Sequence, residues 1–106
     1  MKINPQDALE LLADKEGSFK TLFTHGTLSV EIYQPDKIDL QQPHEQDEVY
    51  VIISGEGEFY NGGELVTFSA GDFLFVPAGV EHRFENFSDE FSTWVIFYGP
   101  KGGEKP

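Results

Sequence analysis

From Ser18 to Tyr98 the chain is a succession of short apolar runs cut by turn residues, which leaves little room for any fold but a compact β architecture. Phe19–Thr24 and Leu28–Tyr33 alternate, with Leu28, Val30 and Ile32 on one face. Val49–Ile53 is continuously apolar. Phe59-Tyr60 and Leu65–Phe68 flank Asn61-Gly62-Gly63, residue types that tolerate positive φ and so mark a hairpin. Phe73–Val76, Arg83–Phe87 and Thr93–Tyr98 complete the set. Many short strands with closely spaced turns predict a sandwich, jelly roll or barrel.

One helix precedes them. Asn4 can cap it, Pro5 suits its first position and Asp7 lies in its first turn. Ala8, Leu9, Leu11 and Leu12 form a narrow apolar stripe before Lys15 and Gly17 end it. Its expected task is to cover one end of the β structure or a partner subunit. The division is therefore a helix over 1–17, a β-barrel over 18–98 and a flexible tail over 99–106, all one domain. At this length folding buries roughly 65% of the surface of the extended chain, enough for one core without staples.

Composition removes several function classes. The absence of cysteine excludes disulfides, thiolate zinc sites and thiol nucleophiles. Seven Lys+Arg against 19 Asp+Glu give a formal charge of −12, a surface that repels phosphate backbones and anionic lipid. No nucleic-acid or membrane partner is expected. No apolar run approaches the ~20 residues of a membrane span, and the N-terminus lacks a basic region followed by an apolar one. A cytoplasmic location is the expectation.

The residues with chemistry are few. Positions two apart on a strand share a face, so Gln42 and His44 can converge on one ion. Glu48 would lie ~13 Å beyond His44 on a straight strand. A shared site therefore requires the chain to bend through Glu45-Gln46-Asp47, after which Glu48, Tyr50 and Ile52 face inward. The Pro77-Ala78-Gly79 turn reverses the chain and places His82, Phe84 and Asn86 on one side, with Arg83 outward. Two imidazoles and one carboxylate from separate strands make an open site for a divalent transition metal (Zn, Fe, Mn, Co or Ni). Tyr50 and Phe84 share the parity of these residues and are candidate pocket walls. Trp94 is a candidate pocket floor. His25, beside Gly26, reads as a turn residue.

These residues resemble the cupin superfamily. Its second motif, Gly-x5-Pro-x-Gly-x2-His-x3-Asn, is matched at Gly71, Pro77, Gly79, His82 and Asn86. Its first, Gly-x5-His-x-His-x3–4-Glu-x6-Gly, is matched at His44, Glu48 and Gly55, with Asp36 for the opening Gly and Gln42 for the first His. Fifteen residues separate Gly55 from Gly71, a spacing like that of small single-domain bacterial cupins. The resemblance covers about Leu22 to Tyr98. It implies a double-stranded β-helix, often dimeric, with a metal inside the barrel held by His44, Glu48 and His82. Phosphomannose isomerases, also cupins, use a Gln-x-His pair at a zinc site, which gives Gln42 a precedent as ligand.

The expected function is the binding or conversion of a small organic molecule at that metal, with dioxygenase and isomerase chemistry both open and Tyr50 the candidate catalytic donor. A non-catalytic binding module and a structural dimeric cupin are the alternatives. The aromatic cluster Phe84, Phe87, Phe91, Trp94 and Phe97 suggests a homodimer contact. Asn86 is expected to complete hydrogen bonds inside the barrel.

Overall fold

The computed structural model describes residues 1–13, 18–39 and 41–105. Helix α1 spans Pro5–Ala13, and Asn4 caps it by accepting the Asp7 N–H at 2.8 Å. The expected stop at Lys15 and Gly17 lies outside the described residues. Eight strands follow: β1 Phe19–His25, β2 Leu28–Tyr33, β3 Asp47–Ser54, β4 Glu56–Asn61, β5 Glu64–Ser69, β6 Phe73–Val76, β7 His82–Glu85 and β8 Ser92–Tyr98. No helix among the described residues is long and apolar enough to cross a membrane.

Every strand pairing is antiparallel. A five-stranded sheet runs β1-β2-β8-β3-β6, and a three-stranded sheet runs β5-β4-β7. The two face each other as a jelly roll. Their facing side chains form the core: Tyr33, Tyr50, Ile52, Val76 and Val95 from the large sheet meet Phe59, Phe68 and Phe84 from the small one, with Phe91 between. The aromatic rings pack tilted or edge-on at centroid distances such as 4.6 Å for Phe84–Phe91 and 4.7 Å for Phe59–Phe84, the arrangement that ring quadrupoles favour. The aromatic cluster expected at a dimer contact is thus largely consumed within the chain, because a small barrel needs bulky rings to fill its section.

The outer face of the large sheet has its own cluster. Ala8 and Leu12 of α1 pack on Ile32, with Leu22, Ile53 and Trp94 around them. Leu28, Val30 and Ile32 share this outward side, so the inward side of β2 carries Glu31 and Tyr33. Asp47, expected in the bend, opens β3 opposite Tyr98 and is buried. The bend itself is held by Gln46, whose amide donates to the carbonyls of Thr27 and Gly99.

The C-terminal segment, expected to be flexible, is tied to the barrel. Gly99 N–H donates to Thr27 Oγ1, Gly102 N–H to the Glu45 carbonyl and Glu104 N–H to Asp47 Oδ2. Backbone donors do this work, so a segment without apolar side chains still docks. Pro106 lies outside the described residues.

Two glycines show what the sheet junctions require. Gly55 has φ +91°, and a Cβ there would lie 2.6 Å from Phe91 Cα. Gly63 has φ +95° and open space around it. Both substitutions strain the backbone, and only one also crowds the core. Gly55→Ala should therefore cost about 1–3 kcal/mol more than Gly63→Ala in denaturant unfolding; equal losses would refute the crowding argument.

Candidate metal centre

His44 lies in the segment before β3, Glu48 is the second residue of β3, and His82 opens β7. The required bend occurs, leaving His44 Nε2 3.9 Å from Glu48 Oε1. His82 arrives through the Pro77-Ala78-Gly79 turn. There Gly79, at φ +79°, donates its N–H to the His44 carbonyl at 2.6 Å, and Ala78 N–H donates to Asp47 Oδ1 at 3.0 Å. The turn that delivers one imidazole is therefore bonded directly to the segment that carries the other. One ligand atom from each of His44, Glu48 and His82 lies within 4.8 Å of the others.

The chemistry of this cluster is unusual for a metal-free interior. The Glu48 side chain is 1% exposed and neither carboxylate oxygen has a hydrogen-bond partner. His82 Nε2 approaches Glu48 Oε1 to 3.0 Å, but without the alignment of a hydrogen bond. The other ring nitrogen, Nδ1, lies 2.9 Å from the Val80 carbonyl, which can only accept, so Nδ1 carries a proton. In the neutral ring Nε2 then presents a lone pair toward a carboxylate oxygen. His44 Nε2 is also buried without a partner. An uncompensated buried carboxylate costs several kcal/mol, and lone pairs converging on one point fit a cation placed among them. The residues present can thus hold a divalent metal.

The electrostatics agree. Burial lowers the His44 pKa, with the adjacent His82 adding to that effect and Glu48 opposing it, so His44 is a neutral donor at neutral pH. Burial likewise opposes charge on His82, but the Glu48 carboxylate and the Val80 carbonyl outweigh it and raise its pKa.

Tyr50 is fully buried beside this cluster, its ring centroid 6.1 Å from that of His82. Its hydroxyl donates to Gln41 Oε1 at 3.0 Å. Burial, with Glu48 nearby, raises the Tyr50 pKa well above its ordinary value, so the phenol keeps its proton. Phe84 belongs to the core, 4.8 Å from the Tyr50 ring.

Two expectations need correction, the places of Trp94 and Asn86. Trp94 stands on the outward face, where it packs with Ile32 near α1 and lines a separate depression with Met1, Phe23 and Ile96. The inward positions of β8 go to Val95 and Phe97. Phe97 meets the His44 ring edge-on at 4.7 Å. Asn86 follows β7 at φ +50°, which turns it out of strand alternation; it is exposed and donates to Glu58 Oε1 at 2.7 Å. Gln42 is exposed, at the rim of the cavity that His44 lines. Arg83 points outward as expected, paired with Glu81 and Glu85 over the Tyr60 ring.

Sequence reasoning missed the residues that position the mouth. Asp39 Oδ1 accepts from Tyr33 Oη at 2.6 Å and from Gln41 N–H at 3.0 Å, while Oδ2 accepts from Phe84 N–H at 2.8 Å and Gln41 Nε2 at 3.3 Å. One carboxylate thereby joins β2, β7 and the loop between β2 and β3. A cavity of about 470 Å³ opens beside it, lined by Glu31, Tyr33, Gln41, His44, Val95 and Phe97 among others. A larger depression of about 570 Å³, lined by Glu56, Glu58, Asp72 and Phe87 among others, has no imidazole in its wall. The 470 Å³ cavity has His44 in its wall, as does a smaller one of about 380 Å³ beside Gln46 and Phe97, and His82 lines a third of about 370 Å³.

With fold and site in view, relationships to known proteins become informative. The chain belongs to the cupin family, matching its domain over residues 29–98. It is 35% identical over 104 residues to an uncharacterised protein of Streptomyces coelicolor, covering 95% of this chain and 99% of that one. An oxalate-binding protein of Thermotoga maritima is 37% identical over 62 residues, 56% of this chain and 51% of the relative. The crystal structure of a cupin-2 domain protein from Shewanella frigidimarina superposes with a TM-score of 0.71 at 19% identity, covering 92% and 94% of the two chains.

Asp39→Ala removes four accepted hydrogen bonds at once. It should cost about 3 kcal/mol in unfolding free energy, the scale of losing a charged acceptor of several partly buried hydrogen bonds, and speed proteolysis between residues 34 and 46. A loss under about 0.5 kcal/mol, the surface-substitution range, would show that the loop is held by other contacts.

Proposed function

We propose that this protein holds a divalent transition metal through His44, Glu48 and His82 at the barrel mouth, and uses it to bind or convert a small organic molecule. The observation that carries this reading is the Glu48 carboxylate, buried with neither oxygen hydrogen-bonded and faced by two imidazoles. When bound, the ion would supply Lewis acidity toward an oxygen of the ligand. The chain's own part is to exclude water with Phe97, Tyr50 and Val95 and to fix the His82 tautomer through Val80. Gln42 enters as a fourth donor from the rim. Zn, Fe, Mn and Ni all suit imidazole and carboxylate ligands, and affinity alone does not choose among them.

Binding without turnover is the second reading. Tyr50, the candidate catalytic donor, has its hydroxyl hydrogen committed to Gln41 and holds its proton tightly, so it has no proton ready to give a substrate. The oxalate-binding relative supports a small ligand in a related barrel. A homodimer and a cytoplasmic location belong to the same reading. Phe73, 65% exposed, and Phe75 lie along the edge strand β6, and their exposed apolar surface suits a second copy.

Elemental analysis of the purified protein should find close to one transition-metal ion per chain. His44→Ala and His82→Ala should each remove most of it while leaving the β-sheet circular dichroism unchanged. The wild type should gain about 2.7 kcal/mol of stability at a metal concentration a hundredfold above Kd, a gain both variants lose. Full metal occupancy in either variant would refute the ligand assignment. For the dimer, sedimentation should give the mass of two chains for the wild type and of one for Phe73→Glu combined with Phe75→Glu; a wild-type monomer would refute that part.

A further inference from the structure

The 470 Å³ cavity lies within the ~300–1,000 Å³ range of small-molecule sites, and His44 forms part of its wall. Two of its polar side chains are already committed. Tyr33 donates its hydroxyl hydrogen to Asp39, and Gln41 bridges Asp39 and Tyr50 through both ends of its amide. Glu31 is different. It sits on the inward side of β2 opposite Val95, and among the described residues only Oε2 has a partner, accepting from Thr21 Oγ1 at 3.2 Å. Its other oxygen remains an acceptor for whatever fills the cavity.

Among the described residues lining the cavity there is no Lys or Arg. The chain's one arginine, Arg83, is held outside by Glu81 and Glu85. Burial raises the Glu31 pKa, with Glu48 adding to the effect and the Thr21 hydrogen bond opposing it. A half-buried acceptor of this kind is stabilised by a donor and destabilised by a second anion. A divalent ion on Glu48 and the two imidazoles leaves a single positive charge, which the Glu31 carboxylate cancels. A dianion would leave the site with two net negative charges, and the described cavity wall holds no Lys or Arg to meet them.

We propose that the cavity takes a small uncharged or cationic molecule bearing a hydroxyl or ammonium donor, and that Glu31 is the specificity-determining residue that accepts from this donor and rejects dicarboxylates. This inference rests on the metal reading above and narrows it to a ligand class. The metal side of the cavity engages an oxygen of the ligand, and the Glu31 side engages its donor.

The test is calorimetric titration of the Mn-loaded protein with 2-aminoethanol, ethylene glycol and succinate, with Mn content measured before and after. In the wild type 2-aminoethanol or ethylene glycol should bind at least tenfold tighter than succinate. Glu31→Gln should weaken the tighter of the two donors at least tenfold and strengthen succinate, at unchanged Mn content. Glu31→Ala should shift the preference in the same direction and guards against a folding defect in the first variant. Succinate binding as tightly as the donors in the wild type, no probe binding, or a preference unchanged by both substitutions at full Mn loading would overturn the proposal and leave the metal reading intact. A wild type that retains no Mn, Fe, Ni or Zn would instead overturn the metal reading and this inference with it.

Discussion

The Glu48 carboxylate is buried beside a core made almost wholly of aromatic and aliphatic side chains, and the structure around it is arranged to make that tolerable. A charge in such surroundings is costly unless a cation or donors meet it. None of the neighbouring strands donates to it. The two imidazoles that face it come from segments remote in sequence, and each needs its own support: Val80 sets the ring of His82, and Phe97 packs the ring of His44. The Gly79-to-His44 backbone bond then ties the two segments together. The barrel closes around a polar point that its own side chains leave open.

Asp39 plays the opposite part, a carboxylate whose oxygens are fully used. Its four accepted bonds fasten a loop without regular structure to both sheets. The cavity wall formed by Tyr33 and Gln41 depends on that fastening. Buried polar networks specify geometry well when every member is satisfied, and this one is satisfied through Tyr50, whose hydroxyl completes it. A residue placed by parity as a catalytic candidate thus serves in the structure to hold the mouth in shape.

Much of this was legible in the sequence for physical reasons. Strand positions follow from the runs of apolar residues and their turn breakers, and the Gly62-Gly63 hairpin has the positive φ values that its composition demanded. His44, Glu48 and His82 could be grouped because strand alternation and one necessary bend leave few other ways to use them. What escaped lay where periodicity says nothing or misleads. The apolar face of β2 is the outer one, covered by α1, so Glu31 and Tyr33 look like solvent positions while facing the cavity. Asp39 and Gln41 sit in an aperiodic loop, where no spacing rule applies. Asn86 left its expected side because one left-handed residue resets alternation. Trp94 was ambiguous because both faces of β8 are apolar.

Asp47 gives the C-terminal segment a weight its composition conceals. This carboxylate adjoins Glu48 in β3, and its two oxygens are met by Ala78 from the Pro77-Ala78-Gly79 turn and by Glu104 from beyond the last strand. The cupin domain match stops at residue 98, six positions short of that second donor. Grafting the barrel into another protein by its family boundaries would therefore strip one oxygen of its partner next door to the site. The portable unit of this fold is longer than its recognisable one.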